Sequence, residues 1–384
     1  MSRTTAPARA TPRVQIKLAS VEVLALDLPM ITSFKTAHGT TTKKRTVIVR
    51  AEDADGTVGW GESPGMDLPI YSADTYDGNW YALTRLLVPL VAGRTFAGPA
   101  EVAAAYAGYQ GYNMAKHGLE CAVWAIASSK LGVPIKDLVG GVKTGIPTGE
   151  SFGIKPTVKD LLAEIDQRVA QGFCRIKVKI EPGWDLDVLT QVKAAFPTLP
   201  VMADGNTGYD PHDSGPWDAL DELGLLMIEQ PFPGDALVEL AELQSRLRTP
   251  ICLDESALTF GLTRAALKLG AGRIVNIKPA RLGGVTPSLA VHDWCLEHEV
   301  PVWCGGLLET GIGRGFNLAI SSLPGFTLPA DMSPSRLFYA EDLVEPTFDI
   351  RKDGTIAVPE LPGCGFNVDE RRVRKYQSET WRST

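Results

Sequence analysis

Five short apolar runs in this chain end on an ionisable residue at an almost constant interval. Arg175-Ile176-Lys177-Val178-Lys179 is followed 25 residues later by Val201-Met202-Ala203-Asp204. Leu225-Leu226-Met227-Ile228-Glu229 and Ile251-Cys252-Leu253-Asp254 follow at the same spacing, and Ile274-Val275-Asn276-Ile277-Lys278 after 24. Such an interval holds one strand, one helix and two short connections, the βα unit of a parallel sheet. Amphipathic segments fill the gaps at 158–171, 186–196, 213–223, 236–248 and 262–269, and 287–299 precedes a further strand at 301–304. Seven or eight such units, with polar residues at the strands' C-terminal ends, predict a closed barrel rather than an open doubly wound sheet. Chemistry in barrels gathers at that end.

Residues two apart on a strand share a face, so Lys177 and Lys179 point inward together while Val178 points out. Met227 pairs with Glu229 in the same way, Cys252 with Asp254, and Asn276 with Lys278. Neighbouring ammonium groups repel, and desolvation disfavours charge. Both effects lower a lysine pKa, as a lysine base requires. A purely structural set of salt bridges to the acids is the alternative, but inward lysines are costly to keep for packing alone. Three carboxylates on successive strands would force one another to protonate unless a cation joined them. An all-oxygen set calls for a hard ion, Mg²⁺ or Mn²⁺ rather than zinc. A metal binding a substrate carboxylate, with a lysine on each side, defines removal of the proton α to that carboxylate.

The 384 residues suffice for two domains. Residues 1–14 are expected as a disordered tail, 15–145 as an α+β capping domain, 146–334 as the barrel, and 335–384 as a segment returning to the cap. Strands are expected at 16–27, 46–52 and 58–62, and helices at 73–92, 99–106 and 114–131. A net charge of −7 gives no general attraction for nucleic acid or anionic membranes. No apolar run approaches the ~18 residues of a membrane span. Six scattered cysteines without a C-x-x-C pair suit reduced thiols in a cytoplasmic protein.

The segments Lys177-Val178-Lys179, Asp204-Gly205-Asn206, Glu229-Gln230-Pro231, Asp254-Glu255-Ser256 and Lys278 resemble the muconate-lactonizing subgroup of the enolase superfamily. Residues 303–314, reading Trp-Cys-Gly-Gly-Leu-Leu-Glu-Thr-Gly-Ile-Gly-Arg, are similar to the o-succinylbenzoate synthase/N-succinylamino acid racemase family. The resemblance spans nearly the whole chain, including Asn113-Met114-Ala115-Lys116 and Gly140-Gly141. It implies a modified TIM barrel, (β/α)7β, under the cap. By the same resemblance Asp204, Glu229 and Asp254 bind Mg²⁺ (or Mn²⁺), Lys179 and Lys278 are the acid/base pair, and Lys177 assists Lys179. Ser151, Asn206, Glu255, Gly305, Gly306 and Glu309 match substrate-binding or supporting positions, and residues 33–40 and 63–71 match two specificity loops of the cap.

The implied partner is a small carboxylate, an N-succinyl amino acid or a cyclohexadiene succinyl carboxylate, acted on by a homo-oligomer. The implied activity is N-acylamino acid racemisation, o-succinylbenzoate synthesis on the route to menaquinone, or both. A muconate-type cycloisomerase is an alternative. Dipeptide epimerases rank lower, because Asp331-Met332-Ser333 replaces their Asp-x-Asp. Trp303-Cys304 stands where mandelate racemase-like enzymes need a histidine. A binding protein on a retired scaffold should already have lost one of the five strand-end residues. Gly205 in place of alanine, Gly315-Phe316 in place of Ala-His, and Thr36-Ala37-His38-Gly39 in the first loop depart from the family pattern.

Overall fold

The structure is a computed structural model that describes residues 12–36 and 39–383, with the side chains of residues 34–39 left outside the description. Most of the expected tail, and His38, therefore lie outside the described residues. The cap begins with β1 (Ile16–Thr36), β2 (Gly39–Asp53) and β3 (Val58–Ser63), paired antiparallel in that order, while β4 (Thr95–Phe96) pairs with the start of β1. Alternation along β1 is buried on both sides. Val21, Val23 and Ala25 pack on the cap helices, whereas Leu24, Leu26 and Leu28 pack with Ile312 and Val344 of the later chain. The sheet is thus a middle layer, and apolar residues of both parities are needed.

The expected helix over 73–92 is broken into Tyr76–Tyr81, a wide π turn at Ala82–Leu87, and Val88–Val91. Pro89 accounts for the break, since it has no N–H for the helix ladder and its ring crowds the preceding turn. The long cap helix Asn113–Leu131 lies directly on β3. Gly59 and Gly61 permit that approach, because a Cβ at either would collide with the carbonyl oxygens of Ala122 or Gly118.

β5 (Gly145–Pro147) leads into seven parallel strands: β6 (Glu150–Phe152), β7 (Ile176–Lys179), β8 (Val201–Asp204), β9 (Ile228–Glu229), β10 (Ile251–Leu253), β11 (Ile274–Asn276) and β12 (Val302–Trp303). They neighbour one another in sequence order. Residues 326–331 close the curl: Thr327 N–H donates to Val302 O (3.2 Å) and Asp331 N–H to Cys304 O (2.9 Å) on one side. On the other, Ala330 N–H donates to Pro147 O and Gly149 N–H to Ala330 O, both at 2.9 Å. Strand parity sorts the residues as expected. Met202, Met227, Cys252, Ile274 and Trp303 fill the barrel interior below the polar residues, while Val178, Ala203, Ile228 and Leu253 face the surrounding helices.

The helix expected over 213–223 shortens to Trp217–Asp221. Pro216 biases the residue before it away from helical geometry, and Gly215 has φ +36°. After the barrel, β13 (Val344–Glu345) pairs with β15 (Asn367–Val368), and β14 (Thr355–Ala357) pairs with β5. β16 (Gln377–Arg382) then joins the cap sheet beside β1. A Cβ on Gly315 would collide with the Cys364 carbonyl oxygen, so this returning chain is a physical reason for glycine there.

Candidate active site

The strand register sets the site. Lys179 is aligned with Asp204, and Asp204 with Glu229, across adjacent strands, while Asp254 stands two residues beyond Cys252, the partner of Glu229. Along β7 to β11 the three acids form an arc with Lys179 at one end and Lys278 at the other. All are buried. Lys179 and Lys278 border a cavity of about 470 Å³ between barrel and cap, whose lining also includes Lys177, Lys44, Met66 and Tyr71.

Each carboxylate is matched by a cation. Lys179 Nζ lies 2.7 Å from Asp204 Oδ2 and donates to Asn206 Oδ1 at 2.6 Å. Lys177 Nζ lies 2.6 Å from Asp331 Oδ2, 3.1 Å from Glu229 Oε2 and 3.2 Å from Asp204 Oδ2. Lys278 Nζ lies 2.8 Å from Asp254 Oδ2 and 3.0 Å from the Tyr71 hydroxyl. Arg281 takes the other oxygen of Asp254.

The expectation that both β7 lysines have lowered pKa values holds for only one of them. Burial, with Lys177 beside it, holds Lys179 below the ordinary lysine value despite Asp204. Lys177 moves the other way. Burial opposes its charge, but Asp331, Glu229 and Asp204 outweigh that effect and raise its pKa. Burial and adjacent Asp204 raise Glu229, whereas Lys179 and Lys177 overcome burial to hold Asp204 well below the carboxylate range. Burial also opposes charge on Lys278, but Tyr71 and the acids Glu229 and Glu255 raise it overall.

Supporting groups fix these side chains. Asn276 Nδ2 donates to Glu229 Oε1 at 2.6 Å, and its Oδ1 accepts from Gly305 N–H at 2.7 Å. Gln230 Oε1 accepts from the N–H groups of Asp254 (2.9 Å) and Ser256 (3.1 Å), holding the Asp254-Glu255-Ser256 turn. Asn206, at φ +41°, links Lys179 to Glu255, donating to Glu255 Oε1 at 3.2 Å. Burial and Asp204 push Glu255 up to about 7. Gly205 is tightly enclosed, since a Cβ would lie 2.9 Å from Pro231 Cα.

Of the other sequence-predicted residues, Ser151 and Gly306 line the cavity. Gly305 packs against Lys278, where a Cβ would meet its Cε at 2.6 Å. Glu309 instead holds the strand-end loop: it accepts from Leu307 N–H at 2.9 Å and Asn317 Nδ2 at 2.8 Å, and pairs with Arg314 at 3.2 Å. The 63–71 loop borders the cavity through Gly65, Met66 and Tyr71, whereas of residues 33–40 only Thr40 is described as doing so.

Sequence reasoning missed Arg281 and Arg175, and gave Asp331 no role in the site. Arg281 lies one turn into the Pro279–Leu282 helix, so a proline directly after Lys278 was the available signal. Asp331 pairs with Arg175 and Lys177, and both cations lie over the Trp303 ring, 5.3 and 5.0 Å from its centre. Removing one member of a buried ion network leaves charge uncompensated. Asp331→Asn is therefore expected to lower stability by about 3–5 kcal/mol in urea unfolding, and a loss below about 1 kcal/mol would contradict this bracing role.

Among the described residues, no group of three histidine, cysteine, aspartate or glutamate side chains is arranged as a ready cation cage. The donor chemistry of Asp204, Glu229 and Asp254 nevertheless fits a hard divalent ion: they are all-oxygen ligands at three neighbouring strand ends. No described helix is long and apolar enough to cross a membrane.

Comparison with known proteins agrees with this architecture. Residues 160–372 match the enolase C-terminal domain-like family, and residues 19–140 match the mandelate racemase/muconate lactonizing enzyme N-terminal domain. The chain is 46% identical to an o-succinylbenzoate synthase from Geobacillus kaustophilus, over 94% of this chain and 96% of that one. It is 40% identical to an N-succinylamino acid racemase from Thermus thermophilus, over 92% and 95%. A crystal structure of an enolase-superfamily member from Listeria innocua superposes with a TM-score of 0.92 at 34% identity, covering 96% of this chain and 99% of that one. Enzymes of this type depend on a divalent metal. With both of its domains matched, the chain belongs to the mandelate racemase/muconate lactonizing enzyme family and is an enzyme of the enolase superfamily.

Proposed function

We propose that the chain removes the α-proton of a carboxylate substrate to give an enediolate, as an N-succinyl/N-acylamino acid racemase, an o-succinylbenzoate synthase, or both. The carrying observation is the pair Lys179 and Lys278, bordering one cavity from opposite ends of the acid arc. A divalent cation, Mg²⁺ or Mn²⁺, held by Asp204, Glu229 and Asp254 would act as a Lewis acid on the substrate carboxylate.

In racemisation, one lysine takes the proton from one face of the α-carbon and the other returns a proton to the opposite face. In the dehydration, Lys179 takes the proton and helps hydroxide leave, while Lys278 remains an ammonium beside the developing negative charge. Lys177, held by three acids, keeps positive charge beside Lys179.

The eighth barrel position supports an acylated amino group over a free ammonium. Both oxygens of Asp331 are taken by Arg175 and Lys177, and Ser333 donates to Glu150 at 2.9 Å. Asp331 is already charge-paired with two cations and Ser333 carries no charge, so neither offers an unpaired carboxylate to a substrate ammonium, which speaks against dipeptide epimerisation.

Chiral chromatography of an N-succinyl-L-amino acid incubated with the metal-loaded enzyme tests the racemase reading, and formation of o-succinylbenzoate tests the dehydratase reading. Product in neither assay would overturn the proposal. Asp254→Asn is expected to weaken Mg²⁺ binding by at least about tenfold, judged against the 10–100-fold typical of lesser changes around metal sites. Unchanged affinity in calorimetry would remove Asp254 from the ligand set.

A further inference from the structure

Three consecutive cations, Lys43, Lys44 and Arg45, stand on β2 where the cap borders the cavity. Two of them are matched locally. Lys43 Nζ lies 2.9 Å from Asp27, and Arg45 reaches Asp67 at 3.0 Å while lying 3.8 Å from the Tyr76 ring centre.

Lys44 differs. It is 5% exposed, and its ammonium donates to two main-chain carbonyls, Leu307 O at 2.9 Å and Pro64 O at 3.4 Å. Among the described residues no carboxylate lies within ion-pair distance of it. An ammonium has three N–H donors, so one remains for the cavity that Lys44 lines.

Burial holds Lys44 below the ordinary lysine value, and the two acids whose charge most opposes that shift are already engaged. Glu62 accepts from Thr46 Oγ1 (3.0 Å), Thr310 N–H (2.9 Å), Thr310 Oγ1 (2.7 Å) and Gly313 N–H (3.1 Å). Glu309 is held by Leu307, Asn317 and Arg314, as described above. A buried cation with carbonyls alone for partners is poorly compensated, and an incoming anion would complete it.

Position adds to this. The carbonyl that holds Lys44 belongs to Leu307, two residues beyond Gly305, which abuts Lys278. Lys44 therefore lines the same cavity as Lys179 and Lys278, but it pairs with none of the three acids, where the α-carboxylate belongs.

We propose that Lys44 is a specificity-determining residue that ion-pairs with a distal carboxylate on the acyl arm of the substrate, selecting dicarboxylic acyl groups such as succinyl over neutral ones. The proposal rests on the N-acyl reading of the reaction given above. It also divides the work of the cavity, with Lys44 fixing the far end of the acyl arm and the barrel residues fixing the reacting end.

Calorimetric titration of the metal-loaded enzyme with N-succinylphenylalanine and with its neutral N-succinamoyl counterpart provides the test, since the two have the same length and differ in charge. A hydrogen bond to a charged group is worth about 1.5–3 kcal/mol, so the wild type is expected to prefer the acid by roughly 10–100-fold. Lys44→Met should reduce that preference to about threefold or less, and Lys44→Arg should retain most of it. Equal binding of both compounds by the wild type would overturn the proposal, as would a preference that survives Lys44→Met. Because the wild-type comparison stands alone, a poorly folding variant does not rescue the idea. α-Proton exchange measured on the same two compounds separates the readings: preferential binding of the acid without exchange from either would sink the reaction assignment but leave the Lys44 pairing intact.

Discussion

Lys179→Ala is expected to lower racemisation or dehydration by about 10²–10⁴-fold, the usual contribution of a general acid–base group. The fold should survive, because Asp204 keeps Lys177 at 3.2 Å and the Asn206 N–H at 3.0 Å. Lys179→Arg should be nearly as damaging, since a guanidinium stays protonated at any working pH and cannot accept the proton. Circular dichroism and Mg²⁺ titration would separate lost chemistry from lost structure. Near-wild-type turnover by either variant would remove Lys179 from the reaction.

Lys278→Ala is expected to cost as much overall but in a different pattern. Asp254 would keep Arg281 and the Tyr71 hydroxyl, at 3.1 Å, so local structure should persist. If the two lysines serve opposite faces of the α-carbon, each single variant stops racemisation yet leaves the other lysine able to exchange protons on its own face. In deuterated solvent, Lys278→Ala should label one enantiomer of an N-succinyl amino acid and Lys179→Ala the other. Labelling of both enantiomers by either variant would contradict a base on each face.

The barrel and its strand-end residues were legible because they obey two simple periods, a βα interval and strand alternation. These sufficed to bring Lys179, Asp204, Glu229, Asp254 and Lys278 into one buried site. What escaped the sequence depends on contacts with no period. Lys177 was expected to have a lowered pKa beside Lys179, but Asp331 arrives from the far side of the closed curl and reverses the direction. Arg281 reaches Asp254 through one turn of helix that starts at Pro279. Pro89 and Pro216 disrupt helices that apolar spacing alone would continue. The glycines that depart from the family pattern became intelligible only with their neighbours: Gly205 lies against Pro231, and Gly315 lies under the Cys364 carbonyl. The substrate's distal end was the least legible part. It rests on the cap, where Lys44 is distinguished from Lys43 and Arg45 by its partners rather than by its place in the sequence.

Metal-dependent removal of the α-proton from an N-acylated amino acid by paired lysines is the step on which the proposed function turns. Its most direct test follows solvent deuterium into the α-position by proton NMR, using both enantiomers of an N-succinyl amino acid with and without Mg²⁺. Incorporation into both enantiomers is expected with the cation present, and none after chelation. Absence of exchange from N-succinyl amino acids in the Mg²⁺-loaded enzyme, with exchange from other carboxylates, would contradict it.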